Sequence, residues 1–148
     1  MDAKLRRNAV KWLFILYCLM MLWLLLFQRI GSGPGVGQFN LQPMETVNRF
    51  LWVLRHSTDP AQRGNAAANL FGNVGLFLPL GAFLPALFSK LQRFWWFALL
   101  SALVILLLEL TQAATGLGTF DVDDLILNAV GVVLGWFIWK LIHGVTTK

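Results

Sequence analysis

The chain has 148 residues, 57% of them hydrophobic and 13% charged, against about 25% charged in an ordinary soluble domain. Together with a mean hydropathy of +0.66, this excludes a soluble globular domain and predicts an all-α polytopic membrane protein, one membrane domain over residues 1–148. The net charge of +5 is not a nucleic-acid signature, because the cations sit beside apolar blocks and form no patch.

A helix needs about 20 apolar residues to cross roughly 30 Å of hydrocarbon. Residues 12–27 are the first candidate span. They follow Lys4, Arg6, Arg7 and Lys11, and Gln28, Arg29 and Ile30 come next with no A-x-A cleavage pattern. Residues 1–28 are therefore expected to be an uncleaved N-terminal anchor and not a secretory signal. Its lone cysteine, Cys18, cannot form a disulfide or a thiolate metal site within one chain.

Residues 29–64 form the long external connection, glycine-rich at first. Within it, residues 44–56 read as a short helix, with Val47, Phe50, Leu51 and Leu54 at helical spacing. That helix either lies in the outer leaflet interface, with Trp52 at head-group level, or covers the bundle as a lid. Residues 65–88, 94–115 and 122–142 are the other spans, a three-helix unit over 65–142. Pro79 and Pro85 are expected to kink the first of these. Lys90, Arg93, Lys140 and Lys148 then fall on the same side as the N-terminal cations. The positive-inside rule places both termini in the cytoplasm.

Polar side chains interrupt these apolar spans. A carboxylate at the centre of a membrane helix costs roughly 2.5–3.5 kcal/mol on insertion scales, so such groups should face one another. Counted from residue 65, Asn69 and Asn73 lie roughly 6 and 12 Å inside the outer boundary and share a helix face. Counted from residue 94, Glu109 and Gln112 are roughly 22 and 27 Å up their helix, also in its outer third. In the last span, Asp121, Asp124 and Asn128 fall within about 60° of arc, and Asp123 points elsewhere. Three helices thus bring acids and amides to similar depth, predicting a binding site at Asn69, Asn73, Glu109, Gln112, Asp121, Asp124 and Asn128.

Plainer readings stand beside this one. Asp121 and Asp124 resemble a capping box. The asparagines suit interhelical hydrogen bonds, and Gly131-x-x-x-Gly135 suits close helix packing. Glu109 fits a plain reading least well, because an intramembrane acid is by default a functional hypothesis. Held out of water, it is expected to carry a proton part of the time, as a proton carrier or general acid does. The oxygen-rich set has no spacing specific for a divalent cation, and neither metal nor cofactor is expected.

At these residues the chain resembles the VanZ-like family. The matching pieces are Asn69-x-x-x-Asn73-x-x-x-Phe77-x-Pro79-x-Gly81, Glu109-x-x-Gln112 and Phe120-Asp121-x-x-Asp124-x-x-x-Asn128-x-x-Gly131. They cover about the second half of the chain. The family pattern carries an arginine just ahead of the aspartates, where this chain has Thr119; Arg55 or Arg63 is a candidate substitute. The resemblance implies a small integral protein of the bacterial cytoplasmic membrane, linked to lowered sensitivity to teicoplanin, a lipoglycopeptide acting outside that membrane.

Three functions follow. The first is a non-enzymatic module binding a lipid, a lipid-linked wall precursor or a lipoglycopeptide. The second is an intramembrane enzyme for a lipid-linked substrate, with Glu109 as general acid or base and Asp124 as its partner, although no nucleophile is evident. The third is a small transporter or flippase, which would need a homo-oligomer, for example through Gly131 and Gly135.

Overall fold

The computed structural model describes residues 3–24 and 36–146. Five α-helices run in the order α1 (Ala3–Leu22), α2 (Glu45–His56), α3 (Pro60–Leu87), α4 (Phe94–Thr115) and α5 (Val122–Thr146). A 3-10 helix, Ser89–Gln92, joins α3 to α4. Two strands of two residues each, β1 (Phe39–Asn40) and β2 (Phe120–Asp121), pair in parallel and tie the segment before α2 to the turn before α5.

Helix α3 begins earlier than its apolar composition suggests. Asp59 caps it by accepting the Ala61 N–H at 2.9 Å, and Pro60 opens the first turn, where its missing N–H costs nothing. The helix then continues through Pro79 and Pro85 to Leu87. Its 28 residues span roughly 42 Å, more than about 30 Å of hydrocarbon, so some turns project beyond it. Helix α4 keeps its predicted bounds. Gly116 ends it in the left-handed conformation at φ 71°, and the N–H groups of Leu117 and Gly118 reach the Gln112 carbonyl at 3.0 and 3.2 Å.

Among the described residues, three helices are long and apolar enough to cross a membrane: Pro60–Leu87, Phe94–Thr115 and Val122–Gly144. Helix α1 falls short among the described residues, because Lys4, Arg6, Arg7 and Lys11 fill its first half. The rest of the predicted first span, and the glycine-rich stretch up to residue 35, lie outside the described residues. The short helix predicted over 44–56 is present as α2.

The core sits between α3 and α5, with Phe77, Leu80, Phe97, Ile105, Val132 and Trp136 buried. Trp136 donates its indole N–H to the Leu91 carbonyl at 3.3 Å. Tyr17 docks α1 on this core by donating to the Leu76 carbonyl at 2.6 Å. The closest contact is backbone on backbone. A Cβ on Gly81 would stand 2.0 Å from the Val132 carbonyl oxygen, one on Gly131 2.3 Å from that of Val74, and one on Gly135 2.0 Å from that of Leu78. Gly131 and Gly135 are therefore covered by α3 of the same chain, on the face offered above for a second copy.

Gly135→Ala is expected to lower stability by at least about 1–3 kcal/mol, because no side chain is present to yield. Gly72→Ala, with open space around its Cβ on α3, is expected to be neutral or stabilising by up to about 1 kcal/mol. Thermal melting in detergent separates the two; equal effects would show that the close approach does not hold the helices together.

Candidate functional site

The predicted polar residues form two clusters at the start of α5. The outer cluster belongs to Asp121 and Asp123. Asp121 caps α5 by accepting the Asp123 N–H at 2.9 Å, as the capping reading foresaw. Its other oxygen accepts the Thr46 hydroxyl at 2.7 Å and the Asn40 amide at 3.3 Å. Asp123, with no exposed surface, turns the other way and caps a different helix. Its two oxygens accept the N–H groups of Met44 at 2.6 Å and Val47 at 2.9 Å, at the start of α2. Helix α2 has no side-chain cap of its own: Met44 occupies the cap position in the left-handed region, at φ 66°, a conformation costing roughly 1–2 kcal/mol for a residue with a Cβ. A carboxylate from α5 supplies the missing acceptor and suits the positive end of the α2 dipole.

The inner cluster joins three helices. Asn73 of α3 donates to Asp124 Oδ1 at 2.5 Å. One turn further along α5, Asn128 donates to Glu109 Oε1 of α4 at 3.3 Å. Glu109, Gln112 and Asn128 are 4%, 3% and 3% exposed, so all three have left water. Asn128 Oδ1 is buried with no hydrogen-bond partner among the described residues, which costs about 1–3 kcal/mol for a buried polar group.

Asn69 does not join either cluster. It is exposed and donates back to the Asn65 carbonyl at 2.8 Å. Arg55 and Arg63 are also exposed. Asp121 and Asp123 are bonded among the described residues by hydroxyl, amide and backbone N–H groups, so neither arginine replaces the missing one there. Sequence reasoning missed Asn40, Thr46 and Asp123. A signal for Asp123 was present: a helix opening on Gln42-Pro43-Met44 has no capping side chain and must borrow an acceptor.

Chemically, the inner cluster offers two carboxyl groups, of Glu109 and Asp124, and amides that both donate and accept. It does not display a nucleophile beside a base. Cys18 lies on α1, and Ser101, on the buried face of α4, is roughly 12 Å along the helix from Glu109. Among the described residues, no group of three or more His, Cys, Asp or Glu side chains is placed to hold a metal ion.

The architecture is that of a multi-pass, all-helical membrane protein with an acid–amide cluster buried between its spans. The chain belongs to the VanZ/LLP1 family, whose sequence model matches residues 14–143. No curated protein and no solved structure matches it.

Asp123→Ala would leave the Met44 and Val47 N–H groups without their acceptor and is expected to cost about 3–6 kcal/mol, since each of the two bonds to a charged group contributes about 1.5–3 kcal/mol. Hydrogen exchange at the first turn of α2 should rise in step. Unchanged protection of those amides would remove the cross-helix cap from the account.

Proposed function

We propose that the inner cluster binds the polar head group of a membrane amphiphile, while the amphiphile's chains lie in the surrounding lipid. The occupant is a lipid, a lipid-linked wall precursor or a lipoglycopeptide such as teicoplanin, and capture of it would lower glycopeptide sensitivity. The observation that carries this reading is Asn128: 3% exposed, its Nδ2 on Glu109 and its Oδ1 unmet. An acceptor held dry and unbonded gains the full strength of a hydrogen bond when a hydroxyl or amide donor arrives. Glu109 beside it adds an acid that can accept or donate according to its proton.

The distribution of charge supports an external site. The cations of α1, the α3–α4 turn and Lys140 gather at one end of the bundle; apart from Asp2, the carboxylates lie toward the other, with Arg49, Arg55 and Arg63. In this reading four spans place both termini in the cytoplasm of a bacterium, α2 lies over the outer leaflet, and the cluster opens toward the wall. Asn73, Glu109, Gln112, Asp124 and Asn128 are the binding residues. Asp121 contributes by fixing the start of α5, and Asn69 stands at the rim.

Ligand-induced stabilisation in detergent tests this. Teicoplanin or a lipid-linked wall precursor, at about a hundredfold excess over its Kd, is expected to stabilise the wild type by about 2.7 kcal/mol and to leave Glu109→Gln unmoved. The substitution is nearly isosteric, so its own melting temperature should stay close to that of wild type. Equal stabilisation of both proteins, or of neither across the whole ligand set, would refute the site.

A further inference from the structure

The opposite end of the bundle carries a feature that the acid–amide cluster does not explain. Arg7 and Lys11 are one turn apart on α1 and share a face. They stand on a groove of about 390 Å³ whose other walls are Phe14 and Ile15 of α1 and Leu87 and Phe88 at the end of α3. Both cations are exposed, and no carboxylate is among the described lining residues. The volume falls within the range of small-molecule sites, about 300–1,000 Å³. The floor is firmly held: the Phe14 ring packs on Phe83 at 5.7 Å, and Tyr17 anchors α1 to the Leu76 carbonyl at 2.6 Å.

The residues around the groove also set its depth. Helix α1 changes from charged to apolar at Trp12, which is 71% exposed, and α4 opens at the same end with Trp95 and Trp96, 82% and 58% exposed. Exposed tryptophans of this kind mark the head-group level of a bilayer. Arg7 and Lys11 therefore lie at the height of lipid phosphates, and Phe14, Ile15 and Leu87 at the height of the upper acyl chain. Lys90 and Arg93 line a neighbouring cavity with Trp96 and reinforce the positive field.

We propose that the groove between α1 and the end of α3 binds an anionic phospholipid of the leaflet on this side. Arg7 and Lys11 hold the phosphate, and Phe14, Ile15, Leu87 and Phe88 hold an acyl chain. Two exposed cations with no carboxylate among the described lining residues favour a lipid of net negative charge over a zwitterionic one, whose own cation they repel. The site is distinct from the acid–amide cluster and does not rest on its function.

The test uses the purified full chain, with binding of phosphatidylglycerol and phosphatidylcholine followed by native mass spectrometry. Phosphatidylglycerol should bind the more tightly. Arg7→Gln combined with Lys11→Gln should weaken it about thirtyfold, which is about 1 kcal/mol for each of two cations, and should hardly change phosphatidylcholine. Arg55→Gln with Arg63→Gln removes the same charge at the far end and should have no effect. Ile15→Trp keeps both cations but fills the groove; it should weaken the lipid without lowering the melting temperature. Inorganic phosphate in excess should fail to displace the lipid. Unchanged binding in the first double variant or in Ile15→Trp, an equal loss in the distal variant, or displacement by phosphate would each overturn the proposal.

Discussion

Short polar side chains can meet across two helices only where the backbones nearly touch. Asn73 and Asp124 each reach little beyond their own Cα, yet they bond at 2.5 Å. The approach that permits this is made by Gly81, Gly131 and Gly135, at which any Cβ would strike a carbonyl of the facing helix. Val74, whose carbonyl lies against Gly131, directly follows Asn73 in sequence. The glycine contact and the polar contact are thus one feature seen at two heights. In lipid no hydrophobic force drives one helix against another, so close packing and buried hydrogen bonds must do that work. A side chain at Gly131 or Gly135 would part the helices and leave an amide and a carboxyl group unpaired in a dry interior.

The two aspartates flanking Val122 show how one short segment can organise several helices. Asp121 faces back to cap its own helix and to hold Thr46 and Asn40. Asp123 faces away and caps α2. The β1–β2 pairing fixes the segment that leads into them: the Phe120 N–H reaches the Gln38 carbonyl at 2.9 Å, and the rings of Phe39 and Phe120 pack at 5.7 Å. Through these bonds α2 is fastened to the start of α5. A structural cap and a candidate site here share a segment, and the capping reading of Asp121 does not compete with a binding role for Asp124.

Much of this was legible in the sequence because it depends on local composition. Long apolar blocks located α4 and α5, and helical spacing located α2. The pairing of the last three spans followed from depth along each helix, and Asn73, Asp124, Glu109 and Asn128 do meet. What escaped depends on tertiary contact. Asn69 shares a helical face with Asn73, but α3 starts at Pro60 and projects, so Asn69 stands a turn too far out to join the cluster. The Asp59-Pro60 start was hidden by the polar run that follows it. Asp123 was set aside because it leaves the stripe of Asp124 and Asn128, and its partner is a helix terminus with no side-chain signature. Two-residue strands carry too little pattern to be read from sequence at all.

The two ends of the bundle handle charge in opposite ways, and that contrast orders the molecule. At one end the carboxyl groups of Glu109, Asp121 and Asp123 are drawn inside and met by N–H, hydroxyl and amide groups, while Glu45, Asp59 and three arginines stay at the surface. At the other end the cations stay exposed on flexible stems; Lys140 even lies over the Trp136 ring at 4.8 Å while remaining open to solvent. Burying acids costs stability unless each oxygen is met, which ties the acidic end to a single packed arrangement. Exposed lysines and arginines impose no such demand and act through their field. Specific recognition is therefore expected where the polar groups are fixed and dry, whereas the basic end selects by net charge and depth in the bilayer.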